Sequence, residues 1–143
     1  MRRLAIIGAG PMASIFAVRA RELGIETHCF AWNQGATAKD DVDVFHDVSV
    51  MEVDEIARIC AEEGVGGVVA TTELTVYPAA YVASELGLTG INPEIARVIT
   101  NKYRNREASG TVPGLHHPWY RLVRNQRDLD DMVIPYPVVV KPT

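Results

Sequence analysis

An apolar run, a glycine turn and an amphipathic helix follow one another without a break over residues 4–24, and this stretch limits the possible folds more than any other. Leu4-Ala5-Ile6-Ile7 lacks the polar alternation of a half-wet strand, so it predicts a strand covered on both faces, as in a parallel sheet. Gly8-Ala9-Gly10 turns the chain, and Pro11 opens a helix at the position where its missing N–H would be unpaired in any case. Gly24 supplies the left-handed residue that stops this helix after Leu23. Met12, Ile15, Phe16, Ala20 and Leu23 are spaced as its buried face, with Arg21 and Glu22 turned to water.

The spacing of Gly8, Gly10 and Ala13 suits the phosphate-binding turn of a doubly wound sheet, where small residues let backbone amides and a helix N-terminus approach an anion. It suits equally the tight packing of a helix on a strand. A dinucleotide site also needs an acid at the end of the second strand, and the strand over residues 26–31 runs instead into Trp32-Asn33-Gln34.

Further along, a short edge strand is expected over residues 42–48. A helix follows from Val53, with Ile56, Ala57 and Cys60 inward and Gly64 as its stop. Residues 67–70 form the fourth strand, residues 75–86 the next helix, and residues 88–90 a stub of a fifth strand. Asn92 caps a helix that begins at Pro93 and turns Ile95, Val98 and Ile99 inward. The alternation of strand and helix implies right-handed parallel crossovers. The expected fold is therefore α/β, a Rossmann-like open parallel sheet with helices on both faces and strand order 3-2-1-4-5.

From Asn101 the chain becomes polar and cationic through Lys102, Arg104 and Arg106. Gly110 and Pro113-Gly114 then mark a boundary. Beyond it we expect strands over residues 119–123 and 136–141, and a short helix near 128–132. The domain division expected is residues 1–109 and 110–143.

A net charge of −4 offers no general attraction for nucleic acid, and no stretch of the 143 residues is long and apolar enough to span a bilayer. Cys29 and Cys60 lie far apart, in neither zinc-knuckle nor secreted-scaffold spacing, so two reduced thiols in a cytoplasmic protein are expected. His116-His117 lacks an acid at ligand spacing and reads as loop, so no metal site is assigned to this chain.

Thr72-Glu73, then Glu85-Leu86-Gly87-Leu88-Thr89-Gly90-Ile91-Asn92, then Asn101-Lys102-Tyr103-Arg104-Asn105-Arg106-Glu107, then Pro137-Val138-Val139-Val140-Lys141-Pro142 together resemble the amino-terminal portion of ATP-grasp ligases. Members similar to the carbamoyl-phosphate synthase large chain and the carboxylate-amine ligases look closest. The resemblance covers the whole chain, and it is specific because both lysine motifs occur in order. It implies a Rossmann-like domain followed by the start of an ATP-grasp domain. In the complete enzyme it implies ATP and Mg2+, a carboxylate activated as an acylphosphate, and attack by an amine.

By resemblance, Lys102 and Lys141 contact ATP phosphates, while Gly8, Gly10 and Glu73 lie on the substrate side. An ammonium at the end of an apolar run is costly to bury unpaired, which makes a phosphate partner for Lys141 physically reasonable. Asn101 stands where the family has Asp, and both residues cap helices. The glycine-rich loop, adenine pocket and magnesium-binding acids that follow in the family have no counterpart in these residues, so the chain is expected to be inactive by itself. Two alternatives stay open: a nicotinamide-binding Rossmann protein, and a non-catalytic interaction module. An apolar strand at residues 136–141 presents an edge open to pairing, which makes a homodimer one expectation.

Overall fold

The computed structural model describes residues 2–130 and 132–142. Four strands, β1 (Arg2–Ile7), β2 (Ile25–Ala31), β3 (Val44–Asp47) and β4 (Gly67–Ala70), form one parallel sheet in the order β3-β2-β1-β4. The six helices among the described residues are α1 (Pro11–Glu22), α2 (Val53–Glu62), α3 (Val76–Glu85), α4 (Pro93–Thr100), α5 (Lys102–Ser109) and α6 (Gln126–Asp130). The chain divides into two compact units, residues 1–96 and 97–143.

In the first unit, alternate residues of β1 serve opposite faces, as the two-residue period of a strand requires. Ala5 and Ile7 join Phe30, Ile56, Cys60 and Val82 under α2 and α3, while Ile6 joins Cys29 and Ala13 under α1. The helices thus cover both faces of the sheet, which is why residues 4–7 of β1 and 29–31 of β2 are apolar without alternation. Gly24, Gly64 and Gly87 follow the three helices α1 to α3 with φ of 64°, 63° and 63°.

Helix α1 buries a different stripe from the one its large side chains suggest. Ala13, Ala17 and Ala20 face the sheet, whereas Met12 and Ile15 are 46% and 61% exposed and Leu23 is exposed too. Only Phe16, among the larger residues, packs partly against the core. Alanines let the helix axis approach the strands, and at that separation no room is left for a longer side chain.

Helix α4 departs in the same way, burying Ala96 while Ile95 and Ile99 stay exposed and Val98 is half-buried. Helical spacing predicts a face, not the neighbour that covers it.

The expected fifth strand at 88–90 is absent because its backbone completes a helix stop. Leu88 N–H donates to the Ala83 carbonyl at 2.8 Å and Gly87 N–H to the Ser84 carbonyl at 3.1 Å. In the second unit, residues 119–123 and 136–141, expected as strands, belong to no ladder among the described residues, and the chain bends at 136–137, where Tyr136 N–H donates to the Ile134 carbonyl at 3.0 Å. A strand exists only where a neighbour takes its N–H and C=O groups, and Pro137 and Pro142 have no N–H to offer. The helix expected near 128–132 lies earlier, at α6, where Arg127 N–H donates to Asn125 Oδ1 and Asp128 Oδ2 accepts from Arg124 and Asn125 N–H. Asp131 lies outside the described residues.

Candidate functional site

The order β3-β2-β1-β4 reverses the winding between β1 and β4, and open parallel sheets bind ligands in the crevice beyond their carboxyl ends at such a point. Gly8 ends β1 there with φ of 100°, and its N–H donates to the Phe30 carbonyl at 2.9 Å. A Cβ at Gly8 would collide with Thr71 Oγ1, which itself donates to the Ile7 carbonyl at 2.9 Å. The glycine is therefore required by the approach of the β4 loop to the β1 end. Gly10 differs: it has no atom within 4 Å of a Cβ position, and it begins α1 with no capping side chain and no acid in the first turn.

Glu73 opens a 3-10 turn, Glu73–Thr75, directly after β4. Thr75 Oγ1 accepts from the N–H groups of Thr71 and Thr72, at 3.0 and 3.1 Å, so these two amides are satisfied within the loop. The structure thus brings Gly8, Gly10 and Glu73 to one edge of the sheet.

Lys102 and Lys141 lie in the second unit, where both line one cleft of about 890 Å³. Asn101 positions Lys102 by capping α5, its Oδ1 accepting from Arg104 N–H at 2.9 Å. Arg106 lies one turn beyond Lys102 and also lines the cleft, its guanidinium 5.7 Å from the centre of the Tyr120 ring. Tyr120 meets Tyr103 edge to face at 5.8 Å. Arg121 is the fourth cation of the lining, in which no acid occurs among the described residues, although the whole chain carries a net charge of −4. Apolar walls come from Trp119, Leu122 and the segment that carries Val138.

Such an arrangement can hold a polyanion against a partly aromatic surface. Arg104, in contrast, is exposed and outside the lining. In the sequence Arg106 stands among the cations that follow Asn101, with no site role assigned to it. Its spacing of four from Lys102 was the available signal, since it places both on one helix face.

A second polar cluster went unnoticed in the sequence. Arg3 Nε donates to Glu26 Oε1 at 2.6 Å, Glu26 Oε1 lies 3.0 Å from His28 Nε2, and His28 Nδ1 lies 3.1 Å from His46 Nε2. Burial, followed by the neighbouring His28, holds the His46 pKa below the usual imidazole value. Cys29 and Cys60 are buried free thiols, each pushed up to about 12 by burial, which suits packing rather than reactivity. His117 Nε2 is buried with no hydrogen-bond partner among the described residues. Among those residues no group of three or more His, Cys, Asp or Glu could hold a metal ion, and no helix is long and apolar enough to cross a membrane.

No family model matches the sequence, and no curated protein matches it. Solved structures do. An L-amino acid ligase from Bacillus licheniformis superposes with a TM-score of 0.79 at 21% identity, over 96% of this chain and 35% of that one. Phosphoribosylglycinamide synthetase from Anaerococcus prevotii gives 0.73 at 23% identity, over 94% and 35%. An N5-carboxyaminoimidazole ribonucleotide synthetase in complex with ADP gives 0.74 at 20% identity, over 90% and 33%. These neighbours are ATP-grasp ligases, matched over their amino-terminal portions. At such identities the likeness establishes the fold, and the chain spans about a third of the length of each structure.

Proposed function

We propose that this chain is the amino-terminal, ligand-binding part of an ATP-dependent carboxylate-amine ligase. The observation that carries the reading is the second-unit cleft, in which Lys102 and Lys141, 39 positions apart in sequence, line one cavity with two arginines and, among the described residues, no acid. The family resemblance implies that both lysines meet phosphate, and the ADP held by one structural neighbour is the matching chemistry.

A nucleoside triphosphate supplies the phosphoryl group that activates a carboxylate. In this chain Lys102 and Lys141 act as compact point charges on phosphate oxygens, and Arg106, braced on Tyr120, adds a planar donor. The neutral walls lower the local dielectric and so strengthen these pairings. The donor set fits the phosphates. It does not fit magnesium, for which the described residues offer no ligand group, so no step is assigned to a metal. On this reading residues 110–143 open the ATP-grasp domain. Gly8, Gly10 and Glu73 belong to the acceptor end.

Titration of the full chain with a non-hydrolysable ATP analogue tests the proposal. Binding is expected, with affinity falling at least about tenfold in Lys102→Met and in Lys141→Met while the circular dichroism spectrum is unchanged. ATP turnover is not expected from the 143-residue chain. Unaltered affinity in both variants would remove the basis of the assignment.

A further inference from the structure

Turning its alanines to the sheet leaves helix α1 with an outer face more apolar than a solvated helix requires. Ile15, Val18 and Leu23 are 61%, 50% and 47% exposed, and Met12 continues the same face toward the amino end. Residues 12, 15, 18, 19, 22 and 23 recur at three- and four-residue steps, so helical geometry makes them neighbours on one side of α1. Arg21 is drawn off that side, where its guanidinium donates to the Asp41 carbonyl at 2.7 Å.

Two charges lie within the face, Arg19 and Glu22, and they pair with each other at 2.6 Å. They cancel, and the apolar side chains surround them. A cation and an anion side by side on one helix face have the property a two-fold interface demands, because the face is its own complement. Laying a second α1 antiparallel, with the axis between positions 19 and 22, brings each Arg19 onto the partner's Glu22. A parallel partner would set like charges opposite one another. Both members of the pair are exposed, so exchanging it for the same pair between chains costs little, while Ile15, Val18 and Leu23 leave water. An unrelated protein would have to supply the two charges in matching positions, whereas a second copy already holds them.

We infer that the outer face of α1 is an interface for a second copy of this chain, packed antiparallel about a two-fold axis with Arg19 and Glu22 paired reciprocally. A helix of twelve residues is about 18 Å long, so the contact is smaller than a permanent dimer needs and the association depends on concentration. The axis lies about 15 Å along α1 from Gly10, which leaves the uncapped amino end of the helix open.

Sedimentation equilibrium of the full chain at concentrations up to about 1 mM tests the inference. A monomer–dimer equilibrium is expected. Arg19→Glu and Glu22→Arg, each of which gives the face two like charges, are each expected to weaken it at least about tenfold, with circular dichroism and thermal unfolding showing both variants folded. An equimolar mixture of the two variants is expected to restore association, since the acidic face of one then meets the basic face of the other, a recovery that no folding defect can give. The inference is overturned if the native chain stays monomeric throughout, if the dimer survives both substitutions, as one built through residues 136–141 would, or if the mixture fails to associate.

Discussion

His28 Nδ1 and His46 Nε2 lie 3.1 Å apart, and only one proton can occupy the space between them. The Glu26 carboxylate can only accept, so His28 donates to it from Nε2 and, when neutral, offers the Nδ1 lone pair to a proton on His46 Nε2. The network thus assigns both tautomers. The groups facing the pair are Arg3 from β1, Glu26 from β2, the Phe30 ring stacked 4.5 Å from His46, and Glu63 beyond α2.

The His46 pKa is lowered in the folded chain, so the unfolded chain binds the extra proton more readily. The stability this represents is fully present above the unfolded value near 6.5 and is lost as pH falls through the lower folded value. The melting temperature is therefore expected to drop between pH 7.5 and 5.5. His46→Phe, which keeps a ring against Phe30, is expected to flatten that slope. An equal slope in the variant would show that other groups cause it.

Gly8 and Gly10 should respond oppositely to the same substitution. Gly8→Ala forces a Cβ into Thr71 at a φ of 100° and is expected to cost about 1–3 kcal/mol in urea unfolding. Gly10→Ala meets open space at an ordinary φ of −81° and is expected to cost no more than about 0.5 kcal/mol. Equal losses would contradict the packing role given to Gly8.

The inverted face of α1 makes a second paired prediction. Ala17→Leu overfills the helix–sheet interface and should destabilise by about 1–3 kcal/mol. Ile15→Ala, at an exposed position, should change stability by less than about 0.5 kcal/mol. Chemical denaturation of both variants decides between the two possible faces.

Asn101→Ala removes the side chain that caps α5 and is expected to cost about 1 kcal/mol of stability in the second unit. Because that cap fixes the start of the helix bearing Lys102 and Arg106, nucleotide affinity should fall as well, while Asn101→Asp should preserve both. Calorimetry and far-ultraviolet circular dichroism read the two effects.

What could be read before folding was whatever depends on neighbours in sequence. The apolar run 4–7, the glycine stops and the Asn92 and Asn101 caps are local, and each takes the expected role. The α1 face was misread because hydrophobicity scales rank Met and Ile above Ala, whereas helix–sheet distance favours the smallest side chain. The Arg3–Glu26–His28–His46 chain depends on the registers Arg3↔Glu26 and Phe30↔His46, which no spacing within one strand reveals. The lysines of the cleft were legible through their motifs, but their company with Arg106 and Arg121 was not, since that emerges only when separate segments of the second unit come together.

The central claim is that the second-unit cleft binds a phosphate chain through Lys102 and Lys141. The most direct measurement is a calorimetric titration of the full chain with AMP, ADP and a non-hydrolysable ATP analogue at low ionic strength, repeated on Lys102→Ala/Lys141→Ala. We predict that affinity rises with each added phosphate in the native chain and that the rise collapses in the double variant. Equal affinity across the three nucleotides, or a rise that survives loss of both lysines, would contradict the account.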